Sequence, residues 1–267
     1  MAAGARVVGI GSSSRIGMNP AEFDFIAASE EKFWWYRGMR QIMFALMDPL
    51  RSVLPPGRLV LEAGCGTGHF GKMLAERYGW RVVPADLGSE GLAYGQAMGL
   101  GNLVQCDVGV LPIASACLDA VVSMDVLVHF PRGEELKAFA EFKRVLKPAA
   151  YLILRVSALD VLRSHHSIHA MERQRFTRSR LIQSVLAEGF DVEWCSYANT
   201  LLMPVALVKF RIIEPLSGES PSSGVQPVAG WLDRILYAAL HAEARWLGQR
   251  RRFPLGQSLI LIARKRS

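Results

Sequence analysis

Cysteine is scarce: four residues in 267 (Cys65, Cys106, Cys117 and Cys195), widely separated and without a C-x-x-C pair. That spacing gives no support to a structural zinc site or a disulfide framework, and it suits a reducing cytoplasm. Long apolar runs are missing too. The longest apolar stretch, 201–213, is interrupted by Pro204, Lys209 and Arg211 and falls short of the roughly 20 residues that a spanning helix needs. Positions 1–20 carry glycine and arginine but no continuous apolar segment, so they do not read as a secretory leader. Acidic residues are absent from Arg245 onward, where Arg245, Arg250, Arg251, Arg252, Arg264, Lys265 and Arg266 stand. Their charge equals the whole net excess of +7. Such a cluster could face nucleic acid, anionic lipid or an acidic small molecule, or be a solvated basic face.

What is present is apolar in the right proportion for a core. With 51% hydrophobic residues, disorder over most of the length is excluded, and the chain is long enough to build one sizeable domain. Positions 1–20, rich in Gly, Ser and Ala, read as a flexible arm. Within it Gly9-Ile-Gly11 mimics a nucleotide loop but lacks a third glycine at the right spacing and a following helix. Apolar residues at spacings of three and four predict a helical cap over 21–57, helical through 21–50, ended by Asp48-Pro49 and again by Pro55-Pro56-Gly57.

Beyond it, apolar strands alternate with amphipathic helices. Strands are expected over 58–63, 80–85, 102–106, 118–124, 151–156, 190–197 and 258–263. Helices are expected over 70–78, 89–98 (with Ser89 as its cap), 134–146 and 177–188, the last closed by Gly189. This order predicts an α/β fold: a Rossmann-like, seven-stranded, mostly parallel sheet with helices on both faces. The domain would run over 58–267, with an insertion at 199–256 that holds a Pro/Ser/Gly linker and an amphipathic helix near 231–247.

The most informative stretch is Leu59-Val-Leu-Glu62-Ala-Gly64-Cys-Gly66-Thr-Gly68-His-Phe, a strand running through a glycine turn into a helix. Glycines let a backbone approach a ligand closely, and the helix N-terminus beyond offers free N–H groups. A dinucleotide loop wants G-x-G-x-x-G. Here the spacing is G-x-G-x-G, and Glu62 would oppose a pyrophosphate yet accept hydrogen bonds from a cationic amino group. NAD is the weaker reading.

The segment resembles motif I of the class I S-adenosylmethionine (SAM)-dependent methyltransferases, particularly the small-molecule group with ubiquinone-biosynthesis-like enzymes. Further landmarks fall in register over 58–195: Asp86 with Leu87 after the second strand, Asp107-Val108 after the third, Met124 with Asp125 and His129 after the fourth, and Arg144-Val-Leu-Lys-Pro148. The resemblance implies SAM as cofactor, held by Glu62, Gly64, Cys65, Gly66, Gly68, Asp86, Leu87, Asp107, Val108 and Met124. Asp86 would take the ribose hydroxyls and Asp107 the adenine. Read without the resemblance, Asp86 could simply cap a helix, Asp107 could be a turn residue, and Cys65 is a small side chain that fits the turn. One departure is Ala149-Ala150 in place of the family's Gly-Gly, a turn where a Cβ resists positive φ.

The flanks should select the methyl acceptor. Phe33-Trp34-Trp35-Tyr36-Arg37 resembles a segment that lies over the cofactor in a bacterial subgroup, which assigns Tyr36 and Arg37 to the cofactor and Trp34 to the substrate. Trp34 and Trp35 stand about 100° apart on a helix and are not expected to share a face. His165, His166 and His169 follow the fifth strand, where this fold places its acceptor lid, and are expected to meet substrate rather than metal. His129 is the candidate base if the acceptor must lose a proton, or else a packing residue under the cofactor. The expected reaction is in-line methyl transfer to a small-molecule or lipid-linked acceptor. The protein is expected to be cytoplasmic, with peripheral contact to an anionic membrane through 201–213 and the basic cluster, although packing of those apolar residues on a lid explains them as well. A nucleic-acid methyltransferase or a SAM-binding module without catalysis is the alternative. Met124-Asp-Val-Leu-Val-His129 lacks the Asn/Asp-Pro-Pro-Tyr/Phe used on flipped amino bases. The sequence does not specify the oligomeric state.

Overall fold

The computed structural model describes residues 18–217 and 228–267. Most of the 1–20 arm, including Gly9 and Gly11, and the 218–227 part of the linker lie outside the described residues.

Two helices come first, α1 (Pro20–Ser29) and α2 (Trp34–Met47), followed by a 3₁₀ turn over Asp48–Ser52. The single helix expected over 21–50 is therefore broken at 30–33. The N–H groups of Lys32 and Phe33 bond back to the Ser29 carbonyl at 3.0 and 2.8 Å, and Phe33 turns to extended backbone before α2 begins. Apolar spacing runs through the break, so periodicity alone does not reveal it.

The alternation then unfolds as β1 (Leu59–Ala63), α3 (His69–Tyr78), β2 (Arg81–Asp86), α4 (Ser89–Ala97), β3 (Val104–Gln105), β4 (Leu118–Met124), α5 (Glu135–Val145), β5 (Leu146–Ser157), α6 (His165–His169), α7 (Arg178–Ala187) and β6 (Phe190–Ala198). The insertion forms α8 (Met203–Val208), a π-helical turn (Lys209–Ile213), α9 (Glu214–Ser217) and α10 (Gly230–Gly248), and β7 (Ser258–Lys265) completes the sheet. The strands form one seven-stranded sheet in the order β3-β2-β1-β4-β5-β7-β6. All pair in parallel except β7, which runs antiparallel to both β5 and β6. The expected Rossmann-like, mostly parallel architecture is what the chain adopts.

Each face of the sheet carries a core. On one, Phe139 and Phe142 of α5 and Leu181 and Val185 of α7 pack on Leu61, Val121, Leu152 and Leu154. On the other, Met39, Ile42, Met43 and Leu46 of α2, with Leu74 of α3 and Leu240 of α10, cover Val60, Val122, Ile153 and Ile260. A fully buried side chain of this size contributes about 1.5–3 kcal/mol. Helix α10 packs on α2 at Gly38, where a Cβ would lie 2.4 Å from Leu240.

Two landmarks of the sequence prove to be structural ties. Lys147 donates to Asp119 at 2.8 Å, and Asp119 also accepts from Arg58 and the Leu59 amide, which pins the lower ends of β1, β4 and β5 together. Arg144 holds the carbonyls of Leu111 and Ile113 and the Glu141 carboxylate. Ala149, in place of a family glycine, nevertheless takes φ +59°, a conformation costing roughly 1–2 kcal/mol. Strand β5 starts at Leu146 rather than at 151, with its register on β4 shifted across this turn. Helix α4 begins at Ser89, with Gly88 and not Ser89 in the cap position; the Ser89 hydroxyl points instead to Glu90.

Candidate active site

The carboxyl ends of β1, β2, β3 and β4 open into a cavity of about 1140 Å³. Its floor is the glycine turn. After β1 the chain cannot continue straight, because the amides of Gly64 and Cys65 both bond to the Ala85 carbonyl on β2, at 2.7 and 2.9 Å. Gly64 has φ +78°, and a Cβ on it would lie 1.8 Å from Val126. Gly66 has φ +57° with nothing within 4 Å of the Cβ position, so its missing side chain leaves open space. Gly68 caps α3 in the left-handed region and packs against Leu100.

Asp86 ends β2 and organises this turn. Its Oδ2 accepts from the Gly66 amide at 2.7 Å and its Oδ1 from the Gly88 amide at 2.8 Å. Burial pushes its carboxyl up to about 6 despite the backbone donors that hold it down. Each carboxylate oxygen has two lone pairs, so two backbone bonds leave capacity for ligand hydroxyls. Glu62 is 3% exposed, and its carboxyl is raised well above the usual range, first by burial and then by the Asp86 charge. Its Oε2 packs against Gly71 of α3 and is buried without a hydrogen-bond partner among the described residues. An unpaired buried oxygen of this kind is costly unless a donor meets it. Asp107 accepts from the Gly109 amide at 2.7 Å, an Asx turn that also faces the cavity.

Of the residues expected to hold a cofactor, Glu62, Gly64, Cys65, Gly66, Asp86, Leu87, Asp107, Val108, Met124 and Tyr36 line this one cavity. Gly68 supports it from behind, and burial lifts the Cys65 thiol well out of the reactive range. Arg37 departs from expectation. It pairs with Asp233 at 3.1 Å and lies over the Tyr237 ring at 4.2 Å, so α10 draws it away from the cavity. Arg40, one turn further along α2, lines the cavity instead and donates to the Glu30 carbonyl. Glu30, raised by burial, accepts from Thr67 at 2.7 Å and ties the α1–α2 turn to the glycine loop. Helix α1 closes that side, its Phe23 ring filling the space beside Gly88 and Gly91.

Most of the residues expected to meet an acceptor line the same cavity. Trp34 and Trp35 both line the cavity although adjacent on α2. His165 and His166 line it as well, whereas His169 faces α1, 3.3 Å from Glu22 and 3.4 Å from Asn19. Tyr36 is raised by burial and stays a neutral hydroxyl. His129 lines the cavity with Nδ1 3.4 Å from the Met171 carbonyl. A proton on Nδ1 serves that contact and leaves Nε2 as an acceptor, and burial lowers the imidazole's pKa, keeping it neutral.

SAM, the cofactor implied by the sequence resemblance, fits these features. The Glu62 carboxylate in the cavity lining suits a cationic amino group, Asp86 suits a ribose diol, and the open space at Gly66 suits close approach of a ligand to backbone.

Comparison with known proteins agrees. Residues 60–149 match the family described as "Methyltransferase domain". Malonyl-[acyl-carrier protein] O-methyltransferase of Methylovorus sp. is 29% identical over 156 residues, covering 54% of this chain and 51% of the relative. Probable tRNA methyltransferase 9B of Homo sapiens is 30% identical over 111 residues, covering 41% of this chain and 24% of the relative. The chain thus spans about half the length of the first and about a quarter of the second. In structure, it is similar to a TehB-like SAM-dependent methyltransferase from Corynebacterium glutamicum, with a TM-score of 0.55 and 15% identity over 93% of this chain and 100% of that one.

Proposed function

We propose that this chain, which carries a methyltransferase domain on a class I SAM-dependent methyltransferase fold, transfers a methyl group to a small-molecule or lipid-linked acceptor. The observation that carries the reading is one continuous cavity. It is lined both by the Glu62, Gly66 and Asp86 constellation and by the aromatic residues Trp34, Trp35 and Phe210.

When bound, SAM supplies a methyl carbon on a sulfonium: transfer breaks the S–C bond with its electron pair left on sulfur and joins the carbon to an acceptor lone pair. The chain's own contribution is largely positioning, which can supply most of the acceleration for such a displacement. Glu62 would hold the amino group, Asp86 the ribose hydroxyls and Asp107 the adenine edge. The α1–α2 turn, fastened by Glu30 and Thr67, keeps water from the cofactor end. Where the acceptor must shed a proton, the Nε2 of His129 takes it.

The acceptor end is covered by α8 and the π-helical turn, whose Val205, Ala206, Lys209, Phe210 and Ile213 line the cavity. Their outer surface is apolar: Val205, Val208, Ile212, Ile213 and Leu216 are exposed, as are Trp231 and Ile235 on α10. No described helix is long and apolar enough to cross a membrane. Exposed apolar residues beside Lys209 and Arg211 suit shallow contact with an anionic bilayer, from which a lipid-linked acceptor would enter. Co-flotation with anionic liposomes at low salt is expected, and its absence would reject the contact. Nucleic acid is the weaker target. Within the basic cluster Arg264 and Arg266 pair with Glu193 and Asp191, and Lys265 caps the Leu146 carbonyl. Salt titration of RNA binding separates the two readings. Untargeted product screening with methyl-labelled SAM tests the proposal as a whole: a labelled small molecule or lipid is expected with the wild type and not with D86A.

A further inference from the structure

The acceptor end holds a charged group that the fold leaves partly unused. Arg155 lies on β5 between Leu154 and Val156, which point into the core beneath α5 and α7. Its side chain leaves from the opposite face and lines the cavity, in register with Met124 on β4. The residue is only 8% exposed. One terminal nitrogen meets the Asp125 carboxylate, and the guanidinium stands 4.9 Å over the Trp35 ring. Nε is buried without a hydrogen-bond partner among the described residues. Asp125, which holds the pair, sits at φ +55°, a conformation uncommon outside glycine and concentrated at functional sites.

A guanidinium only donates, so the missing partner is an acceptor atom. Three features favour an oxyanion over a neutral oxygen. Asp125 engages one nitrogen only, which leaves the other guanidinium N–H groups able to donate. Lys209 lines the same cavity with no carboxylate paired to it among the described residues. The Trp35 ring over the guanidinium shields it from water, which strengthens a charge-assisted bond.

We infer that Arg155 forms an acceptor subsite for a carboxylate or phosphate attached to a hydrocarbon chain. The terminal guanidinium nitrogen that Asp125 does not engage donates to the oxyanion, Asp125 fixes the guanidinium plane, Trp35 covers its face, and the chain lies along the apolar lining toward α8. This deepens the proposed methyl transfer and rests on it for the statement that the ligand is the acceptor; the oxyanion subsite itself can be measured without turnover.

The test is calorimetry on the whole chain, with and without the demethylated cofactor. Sodium decanoate, decyl phosphate, decanol and decyltrimethylammonium serve as probes, each below its micellar concentration. At least one anion is expected to bind at least about tenfold more tightly than decanol, and the ammonium more weakly than either anion. The tighter of the two anions identifies carboxylate or phosphate as the source. R155Q should erase the preference, while D125N, which removes the internal competitor, should tighten anion binding. A folding defect would not produce that gain. Cofactor binding measured in parallel separates the readings: loss of SAM binding by the wild type sinks the methyltransferase proposal, whereas the subsite stands or falls on the anions. Equal binding of decanol and both anions, no anion binding at all, or an anion preference retained in R155Q would each overturn it.

Discussion

Removing the Asp86 carboxylate probes the cofactor end most sharply, because two loop amides and the expected ribose contacts converge on it. In D86A the Gly66 and Gly88 amides lose acceptors at 2.7 and 2.8 Å, and two ribose hydroxyls would lose theirs. A hydrogen bond to a charged group contributes about 1.5–3 kcal/mol, so the two ribose contacts amount to about 3–6 kcal/mol. The lower figure corresponds to a loss of about 150-fold in SAM affinity. D86N keeps an acceptor oxygen without the charge and should fall between the two. The pH dependence has a definite sign. Burial places the Asp86 carboxyl at about 6, so the ionised form that accepts from the ribose disappears as pH falls through that value. Wild-type affinity should drop about tenfold per unit below it, and D86N should be flat there. Stability moves the other way: a folded-state pKa above the usual 3.8 means that ionised Asp86 costs the fold up to about 3 kcal/mol at neutral pH. D86N should therefore bind SAM poorly and melt later than D86A, because it relieves the buried charge and loses only one of the two amide acceptors. Calorimetry with SAM and its demethylated product, together with thermal melts, reads both. A D86A affinity within about threefold of wild type would refute the placement of the cofactor.

Gly66→Val should abolish SAM binding while leaving a folded chain, since the strain of a branched residue at φ +57° is roughly 1–2 kcal/mol; calorimetry and a melt check both halves. Trp34→Ala, Tyr36→Ala and His166→Ala should lower turnover on an identified acceptor much more than they change SAM affinity, and wild-type turnover in all three would misplace the acceptor pocket. His129→Ala should slow turnover steeply only where a proton is removed. The wild-type pH–rate profile should then show a limb below the ordinary histidine range, because burial lowers this imidazole, and the variant's profile should lack it. Away from the site, Arg180→Met would strand Glu135, which is 2% exposed and also bonded to Gln174. Urea denaturation should show a loss of about 3–5 kcal/mol.

The sheet was readable from sequence because apolar strands buried on both faces leave a plain pattern, and the glycine loop because its spacing is a backbone requirement at Gly64, Gly66 and Gly68. What stayed hidden depends on meetings between distant segments. Glu30 and Thr67 are 37 positions apart, and nothing local marks them as partners. Arg37 and Arg40 look equivalent on one helix, and only the position of α10, with Asp233 and Tyr237, decides which of them reaches the cavity. Arg155 reads as an interruption in an apolar strand; its meaning comes from Asp125 and Trp35. The Ala149 turn shows the converse, a local rule of backbone sterics overridden where the β4–β5 register shifts and the Arg264 side chain holds the Ala149 carbonyl.

The central claim is that the Glu62, Gly66 and Asp86 end of the cavity holds SAM. Its most direct test is titration of the wild-type chain with SAM at neutral pH, with NADH titrated alongside. Saturable one-to-one binding of SAM, undisturbed by NADH, is the predicted result; binding of NADH with none of SAM would contradict it.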